Sequence, residues 1–487
     1  MLVHELIFTG NGDKIAICEK GAVYSYVQIQ QKVAQYRNYL YSLGMRRHDN
    51  VALNARNSAE FIFSYMAISG LGGVVVPLNT MLTPREIAFI LKDAQVEHII
   101  TDRELDLSGQ FADTAPPVQV LITDLEKEIS TNSYPDPPAI NIKDSDPCAI
   151  LYTSGTTGRP KGALLSHSNL VSNAAAFSIA TEAGPDDNIL SVLPMFHSFG
   201  WTCCIATALY NGASVTIVET FSPKDVIATI RERGITVVIS VPAMYNFYTS
   251  LAKPEDLAGV RLFVSGAASL PVEILEKFHE KTKKHIIEGY GLSEASPVVS
   301  FNPPNLTKPG SIGLPMQDIM VKIVDNSGRE CASGEIGELL VQGPNVMIGY
   351  YNLPAETAEA LRDSWLHTDD LAYKDKDGYI FIVDRKKDMI IVSGLNVYPR
   401  EIEEILYQYP AIQEAAAIGV PDKSRGESVR AYVVLHDGMT LDKKDLMAFL
   451  KKNLAPFKIP REIIEIGALP KNPTGKILKK ELRNITS

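Results

Sequence analysis

Two short stretches carry residue types that suit phosphate chemistry. In Leu151-Tyr-Thr-Ser-Gly-Thr-Thr-Gly-Arg-Pro-Lys-Gly162, Gly155, Gly158 and Gly162 permit backbone conformations that side chains forbid, so amide N–H groups can converge on an anion. Ser154, Thr156 and Thr157 add hydroxyl donors and Lys161 adds a point charge, which makes a polyphosphate the natural guest. The pattern is not Gly-x4-Gly-Lys-Ser/Thr, because Lys161 follows Gly158 by three residues and precedes Gly162. In Glu288-Gly-Tyr-Gly-Leu-Ser-Glu294, Tyr290 lies between two glycines and has room to lay its ring against a purine. Ser293 can donate to a phosphate, and Glu294 is a hard oxygen ligand suited to Mg²⁺.

Thr153-Ser-Gly-Thr-Thr-Gly-x-Pro-Lys-Gly162 resembles the phosphate-binding signature of the adenylate-forming enzymes, the superfamily of acyl-CoA synthetases, peptide-synthetase adenylation domains and beetle luciferases. Glu288–Glu294 resembles the same superfamily's Gly-Tyr-Gly-x-Thr-Glu, with Ser293 in place of threonine. The resemblance covers nearly the whole chain, with five motifs in the family's order. It implies nucleotide contacts from Thr153, Ser154, Gly155, Thr156, Thr157 and Gly158, and from Glu288, Gly289, Tyr290, Gly291, Leu292 and Ser293, with the metal on Glu294. Gly266, Ala267 and Ala268, in Val264-Ser-Gly-Ala-Ala268, resemble the ledge along the adenine. Trp365-Leu-His-Thr-Asp-Asp370 matches Trp-x-x-Thr-Gly-Asp except that Asp369 stands where glycine is usual. Asp370 is then placed on the ribose, although the neighbouring carboxylate leaves open which of the two binds it, and Arg385 is a second ribose or phosphate contact.

The implied reaction joins a carboxylate to the α-phosphate of ATP, releases pyrophosphate, and passes the acyl group to a thiol. Two anions must meet, so the site has to supply positive charge in a fixed geometry. Lys161 and Lys476 are the expected charges, the latter in Pro473-Thr-Gly-Lys476, a closing loop on a mobile domain. Lys387 occupies the hinge position, and Ser393, Gly394 and Leu395 would border the tunnel for coenzyme A. His197, Phe199 and Trp201, in Leu193-Pro-Met-Phe-His-Ser-Phe-Gly-Trp201, resemble the wall of the acyl pocket, to which Tyr245 is added, and His197 is counted with the catalytic residues. Trp201 matches a gate-like tryptophan of long-chain fatty acyl-CoA synthetases. The substrate expected is a medium- or long-chain fatty acid, with an aryl acid as the alternative. An acyl carrier protein could replace coenzyme A as thiol, and a silent nucleotide-binding scaffold is the non-enzymatic alternative.

Positioning these residues takes more than one core, since 487 residues exceed a single typical domain. Residues 25–43 space Ile29, Val33, Tyr36, Leu40 and Leu43 as an amphipathic helix capped by Ser25 and Gly44. Strands are expected at 51–53, 74–76 and 98–101, and Thr83-Pro-Arg-Glu86 is a capping box that opens a helix. Strand and helix alternate again from 186 to 288, with strands near 189–193, 214–218, 236–240, 261–265 and 285–288, so parallel α/β layers are expected. Turns and short apolar runs over 310–342 predict a small antiparallel sheet or barrel. The fold class is therefore α/β: a large layered domain over 1–384, a hinge at 385–388, and a small mobile α+β domain over 389–487.

A hydrophobic share of 45% with 21% charged residues is that of a globular protein, and the net charge of −10 argues against nucleic acid as a partner. Five cysteines without a Cys-x-x-Cys pair argue against a zinc site or disulfide framework and fit a cytoplasmic location. Phe61–Leu78 carries no formal charge, but Gly70, Gly72, Gly73 and Pro77 punctuate it, so it reads as core and not as a membrane span. Peripheral membrane contact is left open.

Overall fold

A computed structural model of the chain describes every residue except 112–114, 155–158, 423, 473–474 and 486–487, together with the side chain of Ser154. Short β-branched runs become parallel strands buried on both faces, which is why they lack polar alternation. Val74–Pro77 is buried at all four positions and pairs in parallel with Asn50–Asn54, which pairs in turn with His98–Thr101. These lie in a seven-stranded sheet whose other edge is the antiparallel hairpin Pro147–Ser154 and Pro160–Ser166, followed by Gly349–Tyr350. A nine-stranded sheet holds Ile286–Gly291, Leu262–Ser265, Val237–Ser240, Asn188–Ser191, Ser214–Ile217 and Ile15–Glu19 as successive parallel neighbours.

Helices Tyr26–Ser42, Ala59–Gly70 and His167–Thr181 contribute to one large core with residues of both sheets. Their starts follow the expected chemistry. Ser25 accepts from Gln28 N–H while Gln28 reaches back to Ser25 N–H, and Thr83 and Glu86 repeat the exchange ahead of Pro84–Asp93. Phe61–Leu78 divides between helix Ala59–Gly70 and strand Val74–Pro77, both in the core. No helix among the described residues is long and apolar enough to cross a membrane.

The run after residue 310 forms the expected antiparallel sheet: Met320–Val324, Gly337–Gln342, Trp365–Lys374 and Ile380–Arg385. Residues 390–465 build a fourth sheet, led by the long pair Ile412–Asp422 and Gly426–Leu435. Helices Pro399–Tyr407 and Lys443–Asn453 complete a separate core there, through Ile402, Leu406, Leu446 and Leu450. The architecture is thus mixed α/β with a large N-terminal and a small C-terminal domain.

One element departs from the sequence reading. Phe199–Ala206 is π-helical and fully buried. Gly200 packs so closely on the carbonyl of Pro194 that a Cβ would stand 2.3 Å from its oxygen, which explains glycine at this point. Widened turns of this kind commonly mark functional sites.

Candidate active site

Cross-strand register brings the first cluster together. Lys161 faces Thr153 across the hairpin, and Tyr350 lies beside Ala163 on the adjoining strand. The Lys161 ammonium stands 5.2 Å over the Tyr350 ring, and the Tyr350 hydroxyl donates to Glu294 Oε1 at 3.0 Å. The expected phosphate-site lysine and the metal-ligand candidate therefore share one tyrosine that the sequence reading missed. Nothing local to Gly349-Tyr350 signals this, because its partners come from distant segments. Gly155, Thr156, Thr157 and Gly158 lie outside the described residues.

The second cluster rests on the third sheet. Asp370 and Arg385 are cross-strand partners, with Arg385 Nε 3.4 Å from Asp370 Oδ1. The Tyr290 hydroxyl donates to Asp370 Oδ2 at 2.5 Å, and Asp370 N–H donates to Thr368 Oγ1 at 3.1 Å. Asp370 is buried and Asp369 exposed, and both line one cavity. Ala267 adopts a left-handed φ of 65°, a strained state for alanine, at the ledge beside this cluster. Gly266 admits the Phe199 ring, whose nearest atom would stand 2.9 Å from an added Cβ.

Lys476 enters from the C-terminal domain. It lines two adjoining cavities of about 1210 and 800 Å³, together with Tyr290, Asp370, Arg385 and Lys387. The smaller also holds Thr153, Lys161, His197, Phe199, Gly266 and Leu292–Glu294, and the larger holds Ala268 and Glu288. Burial, reinforced by Arg385, lowers the Lys476 pKa to about 8. Burial and then the Lys476 charge lower His197 to about 4, so its imidazole is neutral at pH 7. Phe199 N–H donates to His197 Nδ1 at 3.2 Å, which leaves the ring proton on Nε2. Burial, with Arg385 next, also lowers Lys387. The smaller cavity thus brings Lys161, Arg385, Lys387 and Lys476 to one cleft, cations that a polyphosphate can pair with.

Not every expected residue reaches this cleft. Trp201 is buried and stacks on Tyr65 with centroids 3.7 Å apart, so it packs in the core behind the π-helical turns. Tyr245 is fully buried and donates to the carbonyl of Val264 at 2.7 Å, bracing the strand that leads to the ledge. Neither appears among the described residues lining the two cavities. Ser393 and Gly394, with φ of 53° and 82°, form a tight turn between paired Val392 and exposed Leu395, also outside both linings. Glu288 is buried under the ledge, where Oε1 accepts Leu270 N–H at 3.1 Å, and burial raises its carboxyl to about 7. Phe177, Phe196 and Phe301, unforeseen in sequence, complete an apolar wall with Phe199.

Among the described residues no three or more His, Cys, Asp or Glu side chains cluster as a metal cage. Glu294, beside the hairpin expected to hold phosphates, fits Mg²⁺ nonetheless, since that ion takes one or two carboxylates and completes its shell with substrate phosphates and water.

A layered α/β domain, a small second domain and a cleft between them lined by Lys161, Arg385 and Lys476 are the frame of an adenylate-forming enzyme. The AMP-binding enzyme family matches over residues 7–351 and its C-terminal domain over 401–476. The chain belongs to this family, among its AMP-forming acid–CoA ligases. It is 36% identical to a long-chain-fatty-acid–CoA ligase of Bacillus subtilis (strain 168), covering 96% of this chain and 91% of the relative. It is 34% identical to a feruloyl-CoA synthase of Amycolatopsis sp, covering 96% and 95%. The ATP-bound crystal structure of MatB from Rhodopseudomonas palustris superposes with a TM-score of 0.94 at 31% identity, covering 99% of both chains. The apo structure of that protein gives 0.83.

Proposed function

We propose that this chain adenylates a medium- or long-chain fatty acid and transfers the acyl group to coenzyme A. ATP and Mg²⁺ serve the first half-reaction and coenzyme A the second. The observation that carries the reading is the convergence of Lys476, Lys161 and Arg385 on one cleft with an aromatic wall. A carboxylate oxygen attacks the α-phosphorus, the bond to pyrophosphate breaks, and an acyl-AMP results. The thiol sulfur then attacks the acyl carbon, AMP leaves, and the thiol proton passes to solvent.

In this reading the hairpin around Thr153 and Lys161 holds the outer phosphates, and Glu294 would hold Mg²⁺, which would supply charge that offsets theirs. Tyr290 and the ledge at Gly266–Ala268 flank the adenine, while Asp370 accepts from the ribose hydroxyls with Arg385 beside it. Lys476 bridges the substrate carboxylate and the α-phosphate, offsetting charge that grows in the transition state. Neutral His197 borders the carboxylate without adding charge, and Phe177, Phe196, Phe199 and Phe301 exclude water from the acyl group. The small domain turns about residues 385–388, and its second pose brings Ser393–Leu395 towards the thiol. The fatty-acid assignment is supported by the 36% identity to the Bacillus ligase, and the feruloyl-CoA synthase favours an aryl acid as second reading. The protein works in the cytoplasm.

A panel of medium-chain, long-chain and aryl acids in a pyrophosphate-release assay tests this, with coenzyme A and carrier-bound phosphopantetheine compared as acceptors. Release stimulated most by aliphatic acids, with thioester formed on coenzyme A, is expected. Preference for aryl acids overturns the substrate, and transfer only to the carrier overturns the acceptor.

A further inference from the structure

The run from Asn345 to Tyr351 ties together two segments that are far apart in sequence. Its strand Gly349–Tyr350 closes one edge of the seven-stranded sheet against Pro160–Ser166, with Tyr350 opposite Ala163. Ile348 N–H donates to the Leu164 carbonyl at 2.9 Å, and Tyr351 N–H to the Gly162 carbonyl at 2.8 Å. The same run grips the turn that carries Glu294. Met347 N–H donates to the Glu294 carbonyl at 2.8 Å, and the Asn345 amide donates to the Ala295 carbonyl at 2.8 Å. Asn169, on helix His167–Thr181, anchors the run itself by donating to the carbonyls of Pro344 and Val346 at 2.7 and 2.9 Å.

Tyr350 is thereby fixed between two opposite charges. The Lys161 ammonium stands 5.2 Å from the centre of its ring, and its hydroxyl donates to Glu294 Oε1 at 3.0 Å. An aromatic face attracts a cation while a phenol hydroxyl donates at the edge, so one side chain serves both charges without letting them meet. All three residues line the smaller cavity. Lys161 and Glu294 form no ion pair with each other, and among the described residues Tyr350 is the side chain that hydrogen-bonds the Glu294 carboxylate. A lysine and a glutamate on one cavity attract each other, and once paired each would cancel the charge that the other is expected to present.

We propose that Tyr350 is a positioning residue that holds Lys161 and Glu294 apart, keeping the ammonium for phosphate and one oxygen of the carboxylate for the metal ion. The proposal rests on the function proposed above, in which both groups serve ATP. Tyr350 touches neither phosphate nor reacting carboxyl in this role and acts through its two neighbours. Its hydroxyl occupies Oε1, which leaves Oε2 as the oxygen that Glu294 offers to a cation. A hydrogen bond to a ligating carboxylate fixes its orientation, and Mg²⁺ is exacting about the placing of its ligands.

The test titrates ATP into the full-length enzyme with no carboxylic acid present, once in Mg²⁺ and once in EDTA, so that binding is read without turnover. Tyr350→Phe keeps the ring and removes the hydroxyl. It should weaken binding in Mg²⁺ about tenfold, as for loss of a partner behind a metal ligand, and leave binding in EDTA within about twofold. Tyr350→Leu removes the spacer as well, so Glu294 can capture Lys161, and binding in EDTA should also weaken, by about threefold. In a Glu294→Gln background no such ion pair can form, and most of that EDTA loss should vanish, a rescue that a merely structural role would not produce. Equal weakening by Tyr350→Phe in Mg²⁺ and EDTA, no weakening in either, or the same loss from Tyr350→Leu in both backgrounds overturns the proposal. Thermal unfolding identifies a variant that fails to fold, and if Tyr350→Leu does, Tyr350→Phe alone decides. Glu294→Gln by itself separates the two claims. If it leaves the Mg²⁺-dependent gain in ATP affinity intact, the metal role of Glu294 falls, whereas a loss there beside a silent Tyr350→Phe removes only the positioning role.

Discussion

The two walls of the cleft are held by different kinds of structure. On the large-domain wall, sheet register sets every position: Asp370 faces Arg385, Lys161 faces Thr153, and the Tyr290 hydroxyl closes onto Asp370. On the other wall, Lys476 stands on a loop closed by the isolated bridge between Lys471 and Ile477. Asn472 steadies it, its N–H donating to the Lys476 carbonyl at 2.9 Å and its Oδ1 accepting Lys476 N–H at 2.8 Å. Groups proposed to bind nucleotide are thus built into sheets, and the group proposed to deliver charge rides on a loop of the small domain. Binding and activation should be separable by mutation.

The largest effect is expected at the loosely held wall. Lys476→Ala should reduce acid-dependent pyrophosphate exchange by roughly 10²–10³-fold, as for loss of one preorganised charge at a transition state. ATP affinity, read by equilibrium titration, should change far less. Equal loss of both would place Lys476 among the binding groups and erase the contrast between the walls. The pH profile sharpens the point. Since burial and Arg385 hold Lys476 near 8, its ammonium is lost as pH rises through that value. Exchange per unit of acid, read as kcat/KM, should fall about tenfold per pH unit above it. Lys476→Arg, which stays charged, should lose that alkaline limb even if its maximum is lower.

Glu288 probes the rigid wall from beneath. Burial raises its carboxyl from 4.5 to about 7, so its stabilising contribution is complete below pH 4.5 and is lost as pH rises through 7. Glu288→Gln should remove that loss. Denaturant midpoints at pH 5 and pH 8 should differ less in the variant, by on the order of 2 kcal/mol. The smallest effect belongs to Tyr245→Phe, which deletes the hydrogen bond to Val264. About 1 kcal/mol of stability should be lost, with the spectrum of acids unchanged. A changed acid spectrum would return Tyr245 to the acyl pocket.

Much of this was legible where chemistry is local. The capping box at Thr83–Glu86 opens its helix as expected, and strands His98–Thr101 and Met320–Val324 match the apolar runs that announced them. Asp370, Arg385, Tyr290 and Lys476, singled out by their motifs, line one cavity. Reading failed where a partner is distant. Helix His167–Thr181 buries His167, Asn169, Asn173 and Ser178, so it shows no polar face to betray its period. Trp201 looks like a pocket residue within its own segment, and only Tyr65, from another helix, turns it into core. Tyr350 joins Lys161 to Glu294 through strand pairing that no spacing encodes.

The account stands on the claim that this cleft turns a carboxylic acid into a mixed anhydride with AMP. Incubating the enzyme with ATP, Mg²⁺ and a fatty acid, but no coenzyme A, and trapping with hydroxylamine tests it most directly. Hydroxamate should accumulate with stoichiometric AMP and pyrophosphate, and should be all but abolished by Lys476→Ala. ADP as the nucleotide product, or no hydroxamate from any acid offered, contradicts it.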